Sequence, residues 1–81
     1  MDWNFDSDRP IYIQLIEKMK IAIASEKYKP GDRLPSVRDF AMEIKANPNT
    51  VQRAYSELEE NGLVITQRTN GKFVTEDINL I

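Results

Sequence analysis

Apolar residues recur with a helical period over the first third of the chain. Tyr12, Leu15, Ile16, Met19, Ala22 and Ile23 stand at i, i+3, i+4, i+7, i+10 and i+11, a single stripe along one helix face. Gln14, Glu17, Lys18 and Lys20 fall outside that stripe, which predicts that they face water. Ile13 and Ile21 also lie off it and are candidates for contact with a partner. The helix is predicted to begin near Pro10, since a proline in the opening turn loses no hydrogen bond.

Two shorter stripes follow. Val37, Phe40, Ala41 and Ile44 predict a second helix, and Ser36-Val37-Arg38-Asp39 fits the capping-box pattern with Ser36 as the cap. Val51, Ala54, Tyr55 and Leu58 predict a third. Asn47 is placed to cap it, with Pro48 in its first position and Asn61-Gly62 as its stop. Only Lys45-Ala46-Asn47 links these two helices.

After Gly62 the period changes. Leu63 to Gln67 and Lys72 to Thr75 are rich in strand formers, and Asn70-Gly71 between them predicts a tight turn. Earlier, Lys29-Pro30-Gly31-Asp32 reads as a turn leading into the short segment Arg33-Leu34. The resulting fold class is mainly α with a small β-hairpin, a winged helix-turn-helix of three helices plus a wing. The 81 residues are expected to form one domain, 1–81, with one modest core.

Composition narrows the chemistry. With no cysteine and no histidine, a disulfide framework is excluded and any metal would need an all-oxygen site. No cofactor is implied. No apolar run reaches the length of a membrane span, and the start lacks the basic flank of a signal peptide, so a cytoplasmic protein is expected. The net charge of −2 gives no general affinity for nucleic acid. Residues 28–75 nevertheless carry seven bases against six acids, so any such function must come from placement.

The placement is informative. Two short amphipathic helices with a three-residue link match the spacing of a helix-turn-helix. On the helix from Pro48, the side opposite the apolar stripe carries Asn49, Arg53, Ser56 and Glu60, flanked by Thr50 and Gln52. Asn and Gln suit adenine, and Arg suits guanine. The far turns carry Glu57, Glu59 and Glu60, which phosphates would repel, so the helix is expected to enter a groove end-on. Arg38 lies near the start of the preceding helix, within reach of a phosphate or the groove floor. Arg68 and Lys72 flank Asn70-Gly71 as a basic hairpin tip for backbone or minor groove.

Plainer roles compete for each residue. Asn47 serves equally as a cap alone, while the plainer reading of Thr50 is a solvent-facing residue and that of Arg53 the partner of Glu57 at i+4. The plainer reading of Arg68 and Lys72 is as solubilising charges on an exposed hairpin.

Four segments in linked order closely resemble the GntR family. They are Pro10-Ile11-Tyr12-Ile13-Gln14, Lys29 through Asp39, Asn47-Pro48-Asn49-Thr50-Val51-Gln52-Arg53-Ala54-Tyr55, and Leu58 to Leu63. The Pro-Ile-Tyr-x-Gln opening and Asn-Pro-Asn-Thr-Val segment resemble its YtrA-type branch, and the likeness runs from about residue 9 to residue 75. The resemblance implies a bacterial repressor-like regulator whose partner is double-stranded operator DNA. It assigns DNA contact to Arg38, to Asn47, Asn49, Thr50, Gln52 and Arg53, and to the wing glycine, Gly71.

Three positions depart from the family pattern. Ser25-Glu26-Lys27 replaces a glycine before the Pro-Gly turn, Lys45-Ala46 replaces Gly-Val between the second and third helices, and Thr69 replaces the first wing glycine. Lys45 is therefore expected to meet strain if its backbone must turn left-handed. The family's effector-binding or dimerising region is not among these residues, so the domain is expected to be monomeric or weakly dimeric and the full-length regulator a homodimer.

Two other functions compete: a winged helix that binds protein, and an enzyme. A protein-binding module would not need amide and guanidinium groups gathered at one helix end. An enzyme would lack histidine, cysteine and a Gly-rich phosphate loop.

Overall fold

The computed structural model describes residues 4–67 and 71–77. Helix α1 spans Ile11–Ala24, α2 Val37–Ile44 and α3 Pro48–Glu60; strands β1, Val64–Gln67, and β2, Gly71–Val74, complete the order. Pro10 is the N-cap of α1, so the helix begins beside it as the sequence predicts.

The three apolar stripes converge on one core. Leu15, Met19, Phe40, Val51, Ala54, Tyr55 and Leu58 are fully buried, and Leu34, Val64 and Val74 close the core from the wing side. Each such aliphatic side chain contributes roughly 1.5–3 kcal/mol on leaving water. Tyr55 stacks on Phe40 with ring centroids 5.9 Å apart, and its hydroxyl donates to the Pro35 carbonyl at 2.8 Å. Burial pushes the Tyr55 hydroxyl far above its ordinary pKa, with Tyr28 and Glu43 adding to the effect, so it remains a neutral donor.

Gln14 is buried, contrary to its expected place in water. Its side-chain oxygen accepts from the Asp6 amide at 2.7 Å, and its Nε2 donates to the carbonyls of Asp6 and Arg9, both at 2.9 Å. A fully used amide is thus worth burying, and it fastens the chain before α1 against the helix.

Helix ends follow local rules, with two departures. The Ser36 side chain accepts from the Asp39 amide at 3.1 Å and the Asn47 side chain from the Asn49 amide at 2.8 Å, as capping residues should. Helix α3 ends in a Schellman arrangement: Gly62 at φ 78° bonds the Glu59 carbonyl and Leu63 bonds that of Leu58. At the ends of α1 and α2 the same left-handed position is held by Glu26, φ 63°, and Lys45, φ 58°. Lys45 is where left-handed strain was expected, and Glu26 adds a second such position.

The wing is an antiparallel pair in the register Val64↔Val74, Ile65↔Phe73, Thr66↔Lys72 and Gln67↔Gly71. Gly71, at φ 103°, is therefore in the ladder opposite Gln67, and the Asn70 half of the expected turn lies outside the described residues. The segment before α2 adds a third edge. Gly31 donates to Val74 at 3.0 Å, Val74 to Asp32 at 2.8 Å and Leu34 to Lys72 at 2.8 Å, with Arg33 bridged to Phe73. This edge ties the wing directly to the start of the helix-turn-helix.

Candidate nucleic-acid interface

Helix α3 supplies the centre of the site. Its stripe Val51, Ala54, Tyr55 and Leu58 is fully buried between α1 and α2, which fixes the rotation of the helix and leaves its other side in water. Asn47, Pro48, Asn49, Gln52, Arg53 and Ser56 are exposed on that side, and Thr50 is half-buried beside them. The three-residue link, with Lys45 in its left-handed turn, brings the start of α3 to the surface next to α2. The positive end of the helix dipole lies there too, which favours an approaching phosphate.

Several of these side chains are already held. The Asn47 oxygen already accepts from the Asn49 amide, which leaves its amide nitrogen as the group best placed to meet a ligand. Gln52 Nε2 donates to Ser56 Oγ at 3.1 Å, a contact along the exposed face. Arg53 does not pair with Glu57 among the described residues. Its guanidinium lies over the ring of Tyr12 on α1, 3.7 Å from the centroid. Arg38, the second residue of α2, is exposed, and its side chain makes no hydrogen bond or ion pair among the described residues.

Of the expected basic tip, only Lys72 and Gly71 fall among the described residues. Arg68 and Asn70 lie outside the described residues. Lys72 points back to α3: its ammonium pairs with the Glu59 carboxylate and donates to Thr66 Oγ1 at 3.1 Å. Burial alone would raise the Glu59 pKa, but the bonds from Lys72 and Thr66 outweigh it and hold the carboxyl below its ordinary range. One of the three glutamates at the far end of α3 is thus neutralised by the wing, and the wing is fixed to the helix in return.

Three contributors escaped the sequence reading. Tyr12 looked like one more member of the apolar stripe, yet it is half-buried and carries Arg53. Glu59 counted only as one of three charges that phosphates would repel. Arg33 was read as part of a short segment, whereas its guanidinium lies against Gly71. The sole sequence signal for any of these is the alternation along β2, which puts Lys72 on the side opposite Phe73. Among the described residues no group of carboxylates is placed to hold a metal, and no helix is long and apolar enough to cross a membrane.

The family model of bacterial regulatory proteins, gntR family, matches residues 11–74. Over 81 residues the chain is 43% identical to the HTH-type transcriptional regulator YhcF of Bacillus subtilis, an overlap that takes in 100% of this chain and 67% of that protein. It is 49% identical over 71 residues to the HTH-type transcriptional repressor YtrA of the same organism, covering 88% of this chain and 55% of the repressor. The solved structure of a GntR family transcriptional regulator from Listeria monocytogenes superposes with a TM-score of 0.91 at 44% identity, over 95% of this chain and 68% of that one. The chain therefore spans between about half and two thirds of the length of these relatives. This chain belongs to the gntR family of bacterial regulatory proteins, as its winged-helix DNA-binding domain.

Proposed function

We propose that the domain reads one half-site of a double-stranded operator, as the DNA-binding head of a bacterial transcriptional repressor in the cytoplasm. The start of α3 enters the major groove end-on. Asn49, Gln52 and Arg53 meet base edges, Thr50 and the Asn47 amide meet the flanking backbone, Arg38 meets a phosphate, and the wing near Gly71 lies against the adjacent backbone. The observation that carries this reading is the polarity of α3. Amide, hydroxyl and guanidinium groups occupy its exposed first half, while Glu57, Glu59 and Glu60 occupy its last turn.

A protein-binding winged helix has no use for that arrangement. Among the described residues the exposed large apolar side chains, Ile11, Ile21, Met42 and Ile65, come from three different elements. Scattered in this way they do not supply the area of a stable obligate interface, commonly above about 2,000 Å². We infer a domain that is monomeric in dilute solution, acts as a binding module and not as an enzyme, and pairs as a homodimer in the full-length regulator.

The test is a gel shift with a duplex enriched from a random pool, set against the same duplex scrambled. Preference for the enriched duplex is expected. Equal binding to both would remove the operator-reading role.

A further inference from the structure

We propose that Arg33 is the backbone-binding cation of the wing, seated on Gly71, and that Lys72 is not. This rests on the DNA-reading role set out above and assigns the wing contact to a residue from outside the hairpin. Gly71 forms the last described pair of the ladder, opposite Gln67. Arg33 reaches this end of the wing from the third edge, where it is bridged to Phe73. A Cβ at position 71 would lie 3.4 Å from Arg33 Nε and 3.5 Å from Nη2, so the guanidinium lies in contact with the bare face of the glycine.

Charge separates the two cations. Arg33 is exposed and forms no ion pair among the described residues. The nearest carboxylate in sequence, Asp32, accepts from the Lys29 amide at 2.8 Å. Lys72 is bound to Glu59 and is mostly shielded, its side chain only 19% exposed. Releasing Lys72 to a phosphate would leave Glu59 uncompensated beside that phosphate. A planar guanidinium with several donors is also the better match to a phosphate, which it binds through two parallel bonds. Gly71 then has a double role: it takes a φ of 103° that residues with a Cβ avoid, and its missing side chain leaves room for the guanidinium to lie flat.

The experiment measures affinity for the enriched duplex against salt for the whole chain and three variants, with circular dichroism to confirm folding. Arg33→Gln is expected to flatten the log–log slope by about 0.9, the value of one phosphate contact. Arg33→Lys is expected to keep the slope, since the charge remains. The double variant Lys72→Gln/Glu59→Gln, which removes the pair without changing net charge, is expected to leave the slope unchanged. An unchanged slope in Arg33→Gln, or a flattened one in the double variant, overturns the assignment. Absence of duplex binding by the unmodified chain would instead overturn the DNA-reading role and this inference with it.

Discussion

The guanidinium of Arg53 on α3 lies 3.7 Å from the ring centroid of Tyr12 on α1. The side chain best suited to guanine is thus braced by an element that does not belong to the helix-turn-helix. Stacking on an aromatic face restrains a long, flexible side chain while leaving the edges of the guanidinium open for two parallel bonds. Tyr12→Leu is therefore expected to weaken binding to the preferred duplex by roughly 2–5-fold, the equivalent of about 0.5–1 kcal/mol at an exposed site. Tyr12→Phe should restore it. If leucine and phenylalanine behave alike on DNA, the ring does not position Arg53.

Base contact and backbone contact are separable by comparing two duplexes. Asn49→Ala is expected to cost roughly 1–3 kcal/mol on the preferred duplex and far less on unrelated sequence. Arg38→Gln, placed here on a phosphate, should weaken both about equally. Fluorescence anisotropy on the two duplexes distinguishes these patterns, and an equal loss for Asn49→Ala would place Asn49 on the backbone instead.

Two helix ends carry a stability reserve. Glu26 and Lys45 hold left-handed backbone, at φ 63° and 58°, a conformation that costs a residue with a Cβ roughly 1–2 kcal/mol. Part of that is returned by the greater freedom of glycine in the unfolded chain. Lys45→Gly and Glu26→Gly are each expected to stabilise the fold by about 0.5–1 kcal/mol, read as a higher urea midpoint at unchanged m-value. A lower midpoint for both would show that the strain is absent.

Acid should loosen the wing. The folded-state pKa of Glu59 lies below its ordinary value of 4.5, so its ionised form is favoured in the fold. The stability it contributes is fully present above that ordinary value and is lost as pH falls through the depressed one. Urea unfolding between neutral pH and pH 3 should therefore show a pH-dependent part that Glu59→Gln removes. Parallel pH profiles for the two proteins would mean that the Lys72 contact does not depend on the charge of Glu59.

Much of this molecule is written locally. Ser36 and Asn47 cap helices because each needs only an amide two or three residues on, so short patterns find them. The helical stripes are equally legible, and so is the exposed face of α3 once Val51, Ala54, Tyr55 and Leu58 are buried. The features that escaped depend on partners the sequence does not place together. Gln14 is buried because the backbone at Asp6 and Arg9 folds back over it. Lys72 finds Glu59 only after the hairpin has packed on α3, and Arg33 meets Gly71 only through the third edge of the wing. Gly71 looked like half of a tight turn because Asn-Gly is a strong turn pair, yet the ladder continues through it to Gln67.

The central claim is that the start of α3 reads base sequence, and the most direct measurement is selection from a random duplex pool with the unmodified chain and with Arg53→Ala in parallel. The unmodified chain should enrich a defined half-site containing at least one strongly preferred guanine. Arg53→Ala should enrich the same half-site with that one position relaxed and the others kept, because a single bidentate contact has been removed. If both pools converge on the same sequence with the same strength at every position, Arg53 reads no base and the account of the α3 face is contradicted.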